Sequence, residues 1–110
     1  MELMVIVLNK EEYLEPILSI LAELEISDAI IQDGERLGDY LAHEVPIFAG
    51  LRQMIGEKRA ACKTILALID QKDFLAQFNK LLTEEKIDFT QEGVGSIAIV
   101  AVNKVIKSKE

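Results

Sequence analysis

Met4-Val5-Ile6-Val7-Leu8-Asn9 lies over Ile65-Leu66-Ala67-Leu68-Ile69-Asp70 at an offset of 61 residues, and the register continues without a gap. Tyr13/Phe74, Leu14/Leu75, Ile17/Phe78, Ile20/Leu81, Leu21/Leu82, Glu23/Glu84 and Ile26/Ile87 pair at the same offset. The halves share an apolar pattern rather than identities. Each reads as an apolar strand, a polar cap and an amphipathic helix, with a further strand near Ala29-Asp33 in one half and Ile97-Val102 in the other. The repeat therefore predicts a doubled βαβ unit, four strands and two long helices around one core.

With 110 residues, half of them hydrophobic, the chain has room for one domain, 1–110, and argues against disorder. No apolar run approaches the roughly 20 residues that span a bilayer. The chain opens on Leu3-Leu8 with an acidic flank in place of a basic leader, so the expectation is a soluble cytoplasmic protein with no membrane insertion. Cys62 is the only cysteine, which excludes an intrachain disulfide and a cysteine-based metal cluster; it is expected to be a small, buried or half-buried side chain beside the third strand. The net charge of −7 disfavours nucleic acid and anionic membranes as partners. The strands also lack the aromatic platforms on which RNA bases stack. Residues 1–50 hold 11 acids against Lys10 and Arg36, whereas residues 51–110 hold 8 acids against 10 bases. An anion site is thus expected in the second half.

Asn9 is the expected N-cap of the first helix, whose apolar stripe is Tyr13, Leu14, Ile17, Leu18, Leu21 and Leu24, with Pro16 confined to its first turn. Ala29-Ile31 reads as a short second strand ending at Asp33-Gly34, and Lys63-Ile69 as the third. Asp70 is the expected cap of a second helix carrying Phe74, Leu75, Phe78, Leu81 and Leu82. Gly93 and Gly95 bracket a tight approach to the last strand, Ile97-Val102, and a lysine-bearing tail follows.

Two helices cover one face of a four-stranded sheet, yet Leu3-Leu8, Ile65-Ile69 and Ile97-Val102 lack the polar alternation of a wet second face. Short central strands can be apolar throughout, but the reading favoured here is an oligomer assembled sheet to sheet. The connection from Gly34 to Ala61, about 28 residues, is far longer than a hairpin needs. After Pro46, the residues Ile47, Phe48, Leu51, Met54 and Ile55 are spaced as a helical stripe, which either packs within the assembly or docks a partner or ligand.

The order of elements, the segment Ile17-Leu18-Ser19-Ile20-Leu21-Ala22-Glu23-Leu24-Glu25-Ile26 and the closing run from Gly93-Val94-Gly95-Ser96 through Lys104-Val105-Ile106 resemble the nitrogen regulatory protein P-II superfamily. That resemblance spans nearly the whole chain. It implies an α+β, ferredoxin-like βαββαβ sandwich with a four-stranded antiparallel sheet and a long, partly helical β2–β3 connection, the T-loop, at 34–61. It further implies a homotrimer with sheets facing inward and ligand clefts between subunits.

Carried onto this sequence, the resemblance marks Gly93 and Gly95 as a phosphate-cradling turn, with Ser96 where a basic residue is expected. Lys104, Lys107 and Lys109 match the basic residues after the last strand, as lysines where arginine is usual. Gly34 and Gly38 echo glycines at the loop base, and Tyr40 lacks the pattern around the family's modified tyrosine.

The expected function is that of a signalling protein, not an enzyme. It would bind a nucleotide or small anion, require no cofactor, and meet a protein partner through Ile47, Phe48, Leu51 and Met54. Two alternatives stand beside it: a divalent-metal-handling trimer using Asp39 and His43, and a small ferredoxin-like enzyme. No nucleophile–histidine pair beyond an unsupported Cys62/His43 can be drawn, and Arg52, Lys58, Arg59 and Lys63 form a basic cluster near the loop's return.

Overall fold

The computed structural model describes residues 1–51 and 61–108. Strands β1 (Glu2–Leu8), β2 (Ala29–Glu35), β3 (Ala61–Ile69) and β4 (Gly95–Ala101) alternate with helices α1 (Leu14–Glu23), α2 (Leu37–Glu44) and α3 (Phe74–Glu84). Short 3-10 turns occupy Glu11–Tyr13 and Pro46–Leu51. The sheet order is β2-β3-β1-β4, with antiparallel pairing throughout. Strand β3 thus lies between β1 and β2, and β1 lies between β3 and β4. Each βαβ unit is split by a strand of the other, which is the ferredoxin-like arrangement.

Helices α1 and α3 lie on one face of this sheet. Met4, Ile6 and Leu8 of β1 and Ile65, Ala67 and Ile69 of β3 point into them and are buried. Ile17, Ile20 and Leu21 of α1 meet Phe74, Phe78 and Leu82 of α3 in the same cluster. Phe74 and Phe78, one helical turn apart, stack with ring centroids 5.5 Å apart.

The other face follows from the register, in which Val5 stands opposite Leu66 and Ala98, and Leu3 opposite Leu68 and Val100. With Ile30 these side chains form an apolar surface that gives way at the Val7 end to Gln32, Thr64 and Ser96. None of them belongs to the core cluster. Ile30 and Val100, on the two edge strands, are 58% and 52% exposed. Neither long helix covers this face. Cys62, expected beside the third strand, lies within β3 and is buried.

The repeat survives in atomic detail where the helices end. Glu25 N–H donates to the Ala22 carbonyl and Ile26 N–H to that of Leu21, at 3.0 and 2.9 Å; Lys86 to Thr83 and Ile87 to Leu82 repeat both bonds at the same lengths. These are Schellman closures, and both require a left-handed residue just past the helix. Glu25 (φ 63°) and Lys86 (φ 59°) occupy that position where glycine would be unstrained.

Several local expectations are corrected. Asn9 caps no helix: a 3-10 turn follows it, and its N–H donates to the Val94 carbonyl instead. Asp70 does not cap α3, because Asp73 occupies the N-cap position at φ 59° without a side-chain cap bond; Asp70 lies 3.9 Å from the Met1 amine. Strand β2 runs on to Glu35, so Gly34 lies inside a strand, and β4 begins at Gly95 and ends at Ala101. Helix α2 was not anticipated. Pro46–Leu51 is a 3-10 segment rather than the start of an α-helix, and the rest of the expected stripe, Met54 and Ile55, lies outside the described residues.

Gly95 has φ +143°, and a Cβ there would collide with the Val7 carbonyl oxygen across the β1–β4 pairing. Gly95→Ala is expected to cost about 2–4 kcal/mol. Glu25→Gly and Lys86→Gly should each add about 0.5–1 kcal/mol. Urea unfolding at fixed protein concentration checks all three. A loss of stability in either cap variant would contradict the strain assigned to those turns.

Candidate functional site

The residues marked for ligand binding fall at opposite ends of the sheet. Gly95 pairs with Leu8 at one end of β4, whereas Ala101 pairs with Glu2 at the other. The strand between them spans about 20 Å at roughly 3.3 Å per residue. Val102 N–H donates to the Met1 carbonyl at 3.1 Å, carrying the lysine-bearing tail past the end of the sheet opposite the glycine turn. There the Lys107 ammonium pairs with the Asp28 carboxylate just before β2, both side chains half exposed. An ion pair that wet contributes about 0–1 kcal/mol and exchanges readily for another anion. Lys104 is exposed, and Lys109 lies outside the described residues.

Gly34 sits at the same end as Gly93 and Gly95 but on the far edge strand, three strand spacings or about 14 Å away. A Cβ at Gly34 would stand 3.2 Å from Cys62 Sγ, tighter than ordinary van der Waals contact. Gly38 lies in α2 with open space around it. Ser96 is exposed and, opposite Val7, projects onto the bare sheet face. Among the described residues, one chain does not bring the glycine turn, the loop glycines, Lys104 and Lys107 together at one place.

Around the glycine turn the geometry is specific. Asn9 N–H ties the end of β1 to the Val94 carbonyl at 2.9 Å, and Val94 is buried. Gly93, at φ +79°, needs the left-handed region that glycine supplies. Lys10 lies along the turn: its Cε is 4.0 Å from where a Gly93 Cβ would stand, and its Nζ is 5.9 Å from the centre of the Tyr13 ring. The Asn9 side-chain oxygen is buried with no donor.

Lys63, from the expected basic cluster, donates to Asp33 on the neighbouring strand. That hydrogen bond, with the fields of Asp33 and Glu11, raises its pKa and holds it protonated. Arg52, Lys58 and Arg59 lie outside the described residues.

In the β2–β3 connection, Leu37, Tyr40, Ile47 and Phe48 are exposed by 71%, 48%, 84% and 41%, an apolar surface beginning earlier than the sequence stripe suggested. The Leu51 side chain and Met54 lie outside the described residues. His43 Nδ1 donates to the Asp39 backbone carbonyl at 2.9 Å, so that nitrogen serves the helix and not a cation. Among the described residues no three His, Cys, Asp or Glu side chains converge on a metal site, and no helix is long and apolar enough to cross a membrane.

Sequence reasoning missed two features. One is a cavity of about 460 Å³ between the end of α3 and β4, floored by Leu82, Ile87, Phe89 and Ile97. Its rim includes Asp88, which accepts from the Thr90 hydroxyl at 2.6 Å and the Thr90 N–H at 2.9 Å. An Asp two residues before Thr is a legible turn signal that was not used. The second is the approach of Lys10 to Gly93, which needs the strand register to be seen. Compared with models of known protein families and with curated proteins, the chain matches none.

The Thr90 hydroxyl, then the Thr90 N–H, hold the Asp88 carboxyl below the ordinary carboxylate range. The resulting contribution to stability is present above the unfolded-state pKa and fades as pH falls through the lowered one. Thr90→Val should move the Asp88 titration upward in NMR; an unchanged titration would show that the hydroxyl does not set it.

Proposed function

We propose that this chain is a PII-like regulatory protein: a homotrimer with sheets facing inward that binds a nucleotide or small anionic ligand in clefts between subunits. Occupancy is relayed through residues 34–61 to a protein partner. The observation that carries the reading is the bare apolar sheet face, which a second copy of the same face can bury. The split of the ligand residues supports it. A glycine turn at one end of β4 and lysines beyond the other serve one phosphate only when two copies contribute. On this reading Gly93, Gly95 and Ser96 of one copy face Lys104, Lys107 and Lys109 of the next, with Gly34 and Gly38 at the base of the loop.

The Lys107–Asp28 pair then exchanges its carboxylate for a ligand phosphate at little cost. Helix α2 and the segment with Ile47 and Phe48 supply an exposed apolar surface for the partner, extended by Leu51 and Met54. Ligand shifts the loop only as far as it binds one loop state better than the other. The chain works in the cytoplasm, with Cys62 as a reduced thiol, and performs no catalysis.

Two variants on the edge strands, Val100→Glu and Ile30→Glu, place charge on the bare face at positions already exposed in the single chain. Each should lower the oligomer to a folded monomer by light scattering, with unchanged circular dichroism, and abolish ATP binding measured by calorimetry. Variants that remain oligomeric, or monomers that bind ATP as the parent does, would overturn the arrangement.

A further inference from the structure

We propose that Lys10, from the opposite half of the sequence, is the cation of the glycine turn: with the backbone N–H of Gly93 it holds a phosphate group. This rests on the phosphate role proposed above for that turn and names the side chain that completes it.

Residues 1–50 carry only two basic side chains, and the fold lays one of them against the Gly93 backbone, 83 residues away in sequence. With Cε 4.0 Å from the Gly93 Cβ position, the ammonium is one bond of about 1.5 Å further on, in reach of an oxygen resting on the turn. Among the described residues, no carboxylate lies within ion-pair distance of it. Its contact with Tyr13, at 5.9 Å, is at the outer limit of cation–π attraction and holds it weakly. Lys63, a second lysine at this end of the sheet, donates to Asp33.

The turn has a donor to offer. Gly93 is exposed and its N–H has no backbone acceptor among the described residues, whereas Val94 is buried and its N–H donates to the Gln91 carbonyl at 3.4 Å. An N–H left open at a left-handed glycine can donate to an anion's oxygen, and an ammonium beside it adds charge-assisted bonds. The Asn9 side-chain oxygen, buried at the base of the turn, has no hydrogen-bond donor among the described residues.

The phosphate can belong to a nucleotide or stand alone, and calorimetric titration of the full chain with ATP, inorganic pyrophosphate and adenosine separates these. The parent should bind ATP and not adenosine. Pyrophosphate binding would identify phosphate as sufficient, whereas ATP binding alone would identify a nucleotide. Lys10→Gln should weaken binding at least about fivefold and reduce its salt dependence, while Lys10→Arg stays within about twofold of the parent. A Lys10→Gln protein that binds ATP as the parent does would overturn the role of Lys10 and leave the phosphate site standing. A parent that binds none of the three would overturn both.

Discussion

The constraint on which the structure depends is that both long helices pack on the same face of a four-stranded sheet. Met4, Ile6 and Leu8, fully enclosed with Ile65 and Phe78, use the helix-facing side of the pleat as a dry core. The pleat sends the intervening residues, Leu3, Val5 and Val7, to the opposite side. Those residues are hydrocarbon as well, so the sequence that makes a good core also makes a second apolar surface which the chain's long helices leave bare. Among the described residues, neither long helix covers that second surface. The proposed oligomer rests on that geometry, and the proposed composite ligand site rests on the oligomer in turn.

Strand β4 links the two levels. Its start is pressed so closely on β1 that only glycine fits at position 95, and its end passes the chain to a tail held by the Met1 carbonyl and Asp28. Packing thus fixes both ends of β4 in space, a strand length apart. A site needing both ends has to be composite. Lys10 differs in kind, since the β1–β4 register alone brings it to the glycine turn within one chain. In the proposed assembly the turn's own subunit supplies Lys10, while the tail lysines come from the neighbouring copy.

Much of this fold was legible because its signal is periodic. The 61-residue offset identified two βαβ halves, and the matched hydrogen bonds at Glu25/Lys86 and Ile26/Ile87 show that the repeat reaches the backbone. Caps were not legible. Asn9 and Asp70 are good capping residues in isolation, but the chain inserts a turn before each helix, and what a cap can reach depends on that path. Helix α2 escaped notice because its short sequence, interrupted by Gly38 and holding Asp39 and Ala42 on its buried side, offers no long apolar stripe. Of the candidate site, the glycine turn could be read from spacing. Neither the separation of the tail lysines from it nor the approach of Lys10 could be, because both are consequences of strand order.

The most direct measurement is sedimentation of the unmodified protein at micromolar concentration without added ligand. A single species of three chains is predicted, since the apolar sheet face is buried in the assembly whether or not a ligand is present. A stable, well-behaved monomer would contradict the account, because the bare face would then be tolerated by water and the clefts between subunits would not exist.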